Sequence, residues 1–314
     1  MTAARVLVIK HSALGDFVQA TGAFAAIRAH HALDHITLLT TQPFADMAKA
    51  SPYFDEIWCD TRPRAWDVPG LMRLKKKLRS VKFARVYDLQ TSKRSSSYFH
   101  ILGDPPWSGI AHGCSFPHAN PDREQMHPLD RLAEQLAMAG ISPTPPPDIS
   151  WLTADTARFG LPRRFLLLLP GGAPHRPTKR WPVQHFADIA NRASDSDIMP
   201  VLIGTKIDRD PIHEIMALCP YAASLIDKTS FAELAALARR ALGAVSNDTA
   251  PTHLLAAAGC PVTVLFSQDT DPALRAPRGR VTVLRRPQLT DLPPDDVWAA
   301  LQDGPGALCE PDAR

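Results

Sequence analysis

"RVLVIKHSALGDFVQATGAFAAIR", residues 5–28, decides how the first half of the chain is read. Val6–Ile9 is a run of strand-forming aliphatics, and Gly15 gives the chain room for a tight turn. An alanine-rich stretch with helical character follows. A strand passed through a short turn into a helix opens a βαβ unit. The turn carries an acid, Asp16, where a phosphate-binding loop would carry glycines and bare amides. Neither G-x-G-x-x-G nor G-x-x-x-x-G-K-[ST] is present. Two readings of Asp16 stand at this point. It is a first-turn acid of the kind helix starts favour, or a general base that the turn presents to a ligand hydroxyl. One carboxylate can serve both.

The same rhythm extends along the first half. Strands are expected near 5–10, 35–40, 54–58, 84–88 and 107–111, and helices near 16–31, 43–50, 69–80, 93–102 and 127–140. "SPTPPPD", residues 142–148, then places four prolines in seven residues, which neither a helix nor a central strand tolerates. It marks a linker. Beyond it strands are expected near 165–169, 199–204, 222–226, 242–246, 262–266 and 281–284. Helices are expected near 183–194, 209–218, 230–240, 250–258 and 294–302. The expectation is an α/β chain of two doubly wound parallel-sheet domains, 1–150 and 151–314, facing across a cleft. The final helix is the piece able to pack back on the first domain. Ligands in such sheets sit beyond the carboxyl ends of the strands.

Bulk properties narrow the class. A chain of 314 residues with 45% hydrophobic and 21% charged content is globular and long enough for two cores. Its longest apolar runs, "FLLLLP" and "PVTVLF", are of strand length, short of a membrane span. No charged-then-apolar leader is seen, so no signal peptide is expected. Five scattered cysteines, Cys59, Cys114, Cys219, Cys260 and Cys309, suit a reducing cytoplasm. The net charge of +3 fits an anionic ligand or a membrane surface and calls for no nucleic acid.

Two further stretches carry chemistry. In "LLPGGAPHRPTKRWP", residues 168–182, a buried strand ends in Pro170-Gly171-Gly172 and runs into His175, Arg176, Lys179 and Arg180. The glycines let backbone approach a ligand, and the cations can neutralise a diphosphate leaving group as its bond breaks. The plain alternative is a solvated, charge-rich loop. In "AVSNDTAPTHLLAAAGCPVTVLF", residues 244–266, a strand ends before Asn247-Asp248-Thr249, and a helix follows bearing His253. Thr249 and the amides of Ala250 and Thr252 can hold phosphate, and Asp248 can accept from a ribose hydroxyl. Singly, Asp248 also reads as a cap and His253 as a satisfied histidine.

These three stretches, in this order, resemble the lipopolysaccharide heptosyltransferases, glycosyltransferase family 9, from about Arg5 to Arg286. The Asn-Asp-Thr-x-Pro-x-His motif together with "LFSQDTDP" is the most specific part. The resemblance implies a GT-B fold with the donor nucleotide on the second domain and the acceptor on the first. It implies inverting, metal-independent transfer from an ADP-heptose-like donor to the lipid A–Kdo inner core, in the cytoplasm. Carried residue by residue, Asp16 is the catalytic base and Lys179 holds the donor diphosphate. Gly171, Gly172, Asp208, Asp248, Thr249, Ala250 and His253 join the donor side. Two departures stand out: Ala250 and Ser267 occupy places where the family usually has glycine. They keep open a same-fold transferase for another sugar nucleotide, and a non-catalytic nucleotide-sugar binder is the reading from another class. The missing glycine fingerprint speaks against a dehydrogenase.

Basic residues of the first half bear on an acceptor. "RLKKKLR", residues 73–79, is either a membrane-facing or a solvated helix face. Arg62, Arg64, Lys93 and Arg94 follow expected strand ends, and Arg64 with Arg94 is the preferred pair for acceptor carboxylates or phosphates. "HGCSFPH" with His127 lacks the paired spacing of a zinc site.

Overall fold

The computed structural model describes residues 3–172 and 175–308, so Cys309 lies outside the described residues. The chain divides into two compact units, Met1–Trp151 and Leu152–Arg314. The first runs β1 (Arg5–Ile9), α1 (Leu14–Gln19), α2 (Thr21–His30), β2 (His35–Thr40), α3 (Ala45–Ala50) and β3 (Glu56–Cys59). It continues with α4 (Val68–Arg79), β4 (Arg85–Asp88), α5 (Lys93–Ile101), β5 (Trp107–Gly109), β6 (Phe116–Pro117) and α6 (Pro128–Met138). The second begins β7 (Phe165–Leu169), α7 (Val183–Asp195), β8 (Met199–Leu202), α8 (Arg209–Leu218), β9 (Ala223–Ser224) and α9 (Phe231–Arg240). It ends β10 (Gly243–Asn247), α10 (Ala250–Ala257), β11 (Val262–Phe266), α11 (Pro272–Arg275), β12 (Val281–Arg285) and α12 (Pro294–Asp303).

Each unit holds one parallel six-stranded sheet, ordered β3-β2-β1-β4-β5-β6 in the first and β12-β11-β10-β7-β8-β9 in the second. Counted within its unit and read from the opposite edge, the second has the same order as the first. This is the dinucleotide-fold order, in which the winding reverses between β1 and β4, and again between β7 and β10. The loops leaving those strands open a crevice at the carboxyl edge.

The central strands are buried on both faces, which is why they read as unbroken aliphatic runs. Leu7, Ile9, Trp58, Phe83, Phe99 and Trp107 build much of the first core. In the second, α12 inserts Val297 and Leu301 beside Phe186 and Ile189. Local chemistry sets the helix starts: Asp67 accepts the Gly70 amide at 2.9 Å to cap α4, and Ser230 with Glu233 forms a capping box on α9.

Two features depart from the sequence reading. The helix expected over 16–31 is two helices meeting at Ala20, where the Thr21 hydroxyl donates to the Val18 carbonyl at 2.7 Å. The proline run takes no regular structure yet is strapped to the first unit. A Cβ on Gly22 would stand 2.0 Å from the Pro145 carbonyl oxygen, the Asp148 amide donates to Thr21 Oγ1 at 3.1 Å, and Ile149 is buried.

Candidate functional site

In the second unit the site grows from the β7–β10 pairing. Ser246 lies opposite Leu169, which delivers Asn247 to the Pro170–Gly171 turn. The buried Asn247 amide donates to the carbonyls of Pro170 at 2.8 Å and Gly171 at 3.2 Å, while its oxygen accepts the Trp181 amide at 3.1 Å. Trp181 is buried and its indole donates to the Leu292 carbonyl at 2.9 Å. Both ends of the basic loop are therefore fixed. Between them Lys179 Nζ reaches Asp248 Oδ2 at 2.7 Å, with side-chain exposures of 11% and 17%. Thr270, from the loop after β11, donates to the same oxygen at 2.9 Å. Thr178 bonds Asp269 alongside. Loops from three neighbouring strands thus meet around one lysine–carboxylate pair at the reversal point of the sheet.

The start of α10 lies next to it. Ser246 Oγ stands 2.7 Å from Thr252 Oγ1, and Thr249 Oγ1 3.3 Å from the same hydroxyl. The Thr252 amide, expected to be free for a phosphate, donates to the Thr249 carbonyl at 3.2 Å. Ala250 opens the helix and half-buried His253 follows in its first turn. Neither Ala250 nor Ser267 is among the five non-glycine residues of positive φ found among the described residues, so their side chains are accommodated without left-handed strain. Ser267 uses its hydroxyl to accept the Asp269 amide at 3.3 Å.

Gly171 is required by a neighbour: a Cβ there would stand 2.6 Å from Asp208 Oδ1. Asp208 Oδ2 accepts the Thr205 amide at 3.0 Å and hydroxyl at 3.1 Å, so this acid is fixed by the loop after β8 where it packs against Gly171. The Gly172 carbonyl accepts from Arg180 Nη2 at 2.5 Å. His175 and Arg176 are exposed.

In the first unit Asp16 is the third residue of α1, half-buried, and its Oδ2 accepts the Ala13 amide at 3.3 Å. The first-turn role is thus filled. Beside this turn lies a buried network that sequence reading missed. Asp60 Oδ2 accepts the Tyr98 hydroxyl at 2.6 Å and lies 3.3 Å from His11 Nε2. Burial, only partly opposed by Asp60, lowers the His11 pKa to about 4. Burial and Asp60 together raise that of Tyr98. Arg94 donates to the Tyr98 hydroxyl at 2.9 Å and to the Pro63 carbonyl at 3.0 Å. Arg64, next to Pro63, is exposed and sits over the Trp66 ring at 5.3 Å. The two preferred arginines are thereby brought to one loop, with Arg94 engaged inward and Arg64 outward.

Two of the histidines weighed as metal ligands are engaged elsewhere. His118 accepts from Arg123 Nε at 2.9 Å, and His127 caps α6 by accepting the Leu129 amide at 3.2 Å. Among the described residues no group of three or more His, Cys, Asp or Glu is placed to hold a metal ion.

A model of the family described as glycosyltransferase family 9 (heptosyltransferase) matches residues 71–293. The chain is 23% identical to lipopolysaccharide heptosyltransferase 2 of Escherichia coli (strain K12) over 299 residues, covering 86% of this chain and 85% of that protein. It is 24% identical to lipopolysaccharide heptosyltransferase 1 of Pseudomonas aeruginosa over 309 residues, 89% and 82% of the two chains. Its structure is similar to that of a glycosyl transferase family 9 protein from Veillonella parvula DSM 2008, with TM-score 0.84, 20% identity and coverage of 95% and 96%. It is also similar to E. coli heptosyltransferase WaaC with ADP, with TM-score 0.78, 20% identity and coverage of 96% and 99%. The fold is therefore that of the GT-B enzymes, with two Rossmann-like parallel-sheet domains. The chain is a glycosyltransferase, and it belongs to glycosyltransferase family 9, the heptosyltransferase family.

Proposed function

We propose that this enzyme moves a heptose from ADP-heptose to the lipid A–Kdo inner core of lipopolysaccharide, with inversion and without a metal ion, at the cytoplasmic face of the inner membrane. The names of its relatives support the acceptor class, and the similarity to a heptosyltransferase solved with ADP supports the donor class. The observation that carries the reading is the Lys179–Asp248–Thr270 cluster at the reversal point of the second sheet.

In this reading the acceptor hydroxyl oxygen attacks the anomeric carbon while Asp16 takes its proton. The bond from that carbon to the diphosphate oxygen breaks, and its electron pair leaves with ADP. Lys179, which Asp248 holds at the mouth of the loop, turns to the diphosphate and neutralises the charge that builds there. Thr249 and the amide of Ala250 at the start of α10 add donors to the phosphates. Gly171 and Gly172 allow close backbone approach, Asp208 supports their turn, and His253 backs the phosphate loop. Arg64 faces the anionic groups of the acceptor, and Arg94 steadies its loop through the Pro63 carbonyl.

Calorimetric titration with ADP, UDP and GDP, repeated on Lys179→Ala, tests this. Binding of ADP in preference to the others, weakened in the variant, supports it. Preference for UDP or GDP assigns another sugar nucleotide, and no nucleotide binding at all leaves a non-catalytic relative.

A further inference from the structure

Exposed apolar side chains cluster in one short segment. Trp66 is 75% exposed, Val68 58%, Leu71 38% and Met72 66%, so four of the large exposed hydrophobics among the described residues fall within seven positions. Three of them lie on α4, whose inner face buries Gly70, Leu74 and Leu78. At 100° per residue Val68, Met72, Lys75 and Arg79 align on the opposite face. The outward face is therefore apolar over its first turns and cationic after them.

Charge completes the pattern. Arg73, Lys75 and Lys76 are exposed and have no carboxylate partner among the described residues. The single acid of the segment, Asp67, is occupied in capping the helix. Arg64 stacks on the exposed Trp66 ring. An apolar tip with an indole at one end and unpaired lysines behind it matches an anionic bilayer surface: the tip enters the acyl boundary and the lysines meet the headgroups. A protein partner of opposite charge would leave the indole and methionine without a deep apolar phase.

We propose that residues 62–79 form a docking element for anionic membrane, with Trp66, Val68 and Met72 inserting and Arg73, Lys75 and Lys76 bound to lipid headgroups. The proposal deepens the reading of a lipid-anchored acceptor and rests on it for its purpose. The segment follows β3 and bears Arg64, so docking would hold the first unit where such an acceptor emerges.

The test is flotation of the full chain with vesicles of phosphatidylcholine, with and without 30% phosphatidylglycerol, containing neither donor nor acceptor. The expected result is binding to anionic vesicles alone, reduced about 30-fold by Lys75→Ala with Lys76→Ala. Lipids brominated near the headgroup are expected to quench tryptophan emission, and Trp66→Phe to abolish that quenching while binding is retained. Failure to float, equal binding to neutral vesicles, insensitivity to the lysine pair, or quenching unchanged in Trp66→Phe would each overturn it. So would self-association broken by Met72→Glu without vesicle binding, which assigns the face to a second copy. Because no sugar nucleotide is present, such failures leave the transfer reading untouched.

Discussion

Lys179 Nζ lies 2.7 Å from Asp248 Oδ2, and the Thr270 hydroxyl donates to the same oxygen at 2.9 Å. The pair is unequal. Removing Asp248 leaves a half-buried ammonium without a counter-ion, whereas removing Lys179 leaves the carboxylate still bonded to Thr270. Asp248→Ala is therefore expected to cost about 1–3 kcal/mol and Lys179→Ala less. At about 2–4 °C per kcal/mol the difference is visible in thermal melts. Equal losses would show that Thr270 contributes nothing.

Asn247 is the bolt beneath that pair, bridging the carbonyls of Pro170 and Gly171 to the Trp181 amide. Asn247→Asp puts an acceptor against two acceptors. We expect a loss of about 2–3 kcal/mol in urea unfolding together with weaker ADP binding. A stable variant with unchanged nucleotide affinity would contradict this.

Gly171 and Asp208 form a steric pair, since a Cβ on Gly171 would stand 2.6 Å from Asp208 Oδ1. Gly171→Ala is expected to cost about 1–3 kcal/mol. Asp208→Ala loses the bonds to Thr205 but opens space, so the double variant should cost less than the two singles summed. A double-mutant cycle reads that coupling, and strict additivity would rule out the contact as the cause.

How much of this was legible in the sequence differs by level. The strands were, because buried parallel strands must be aliphatic, and α4 was, because Leu74 and Leu78 recur at helical spacing. The two-residue β6 carries no periodicity, and the close fit of Gly22 and Thr21 just past Ala20 is to a proline loop more than a hundred residues away. Lys179 and Asp248 each stood out within a motif. Their meeting did not, because it follows from β7 and β10 becoming neighbours, and Thr270 enters only through the adjacency of β11. The His11–Asp60–Tyr98 network joins three elements whose members look ordinary alone; the one available signal was that all three are polar residues at or near carboxyl strand ends or on α5.

That network gives a pH dependence. Burial lowers the His11 pKa to about 4, against 6.5 in the unfolded chain. Between those values the unfolded state binds more protons, so His11 removes stability as pH falls from 6.5 toward 4 and adds none above 6.5. His11→Gln should flatten the unfolding free energy against pH in that window, by up to about 1.4 kcal/mol per pH unit. Parallel curves for the two proteins would show that His11 is protonated in both states alike.

The central claim is transfer with Asp16 as base, and turnover of ADP-heptose on a lipid A–Kdo acceptor by wild type and Asp16→Asn tests it most directly. The account predicts product from the wild type, a fall in kcat of about 10²–10⁴-fold in the variant, and ADP affinity unchanged between them. A variant that turns over within about threefold of wild type, or a wild type inert with ADP-heptose but active with another sugar nucleotide, would contradict it.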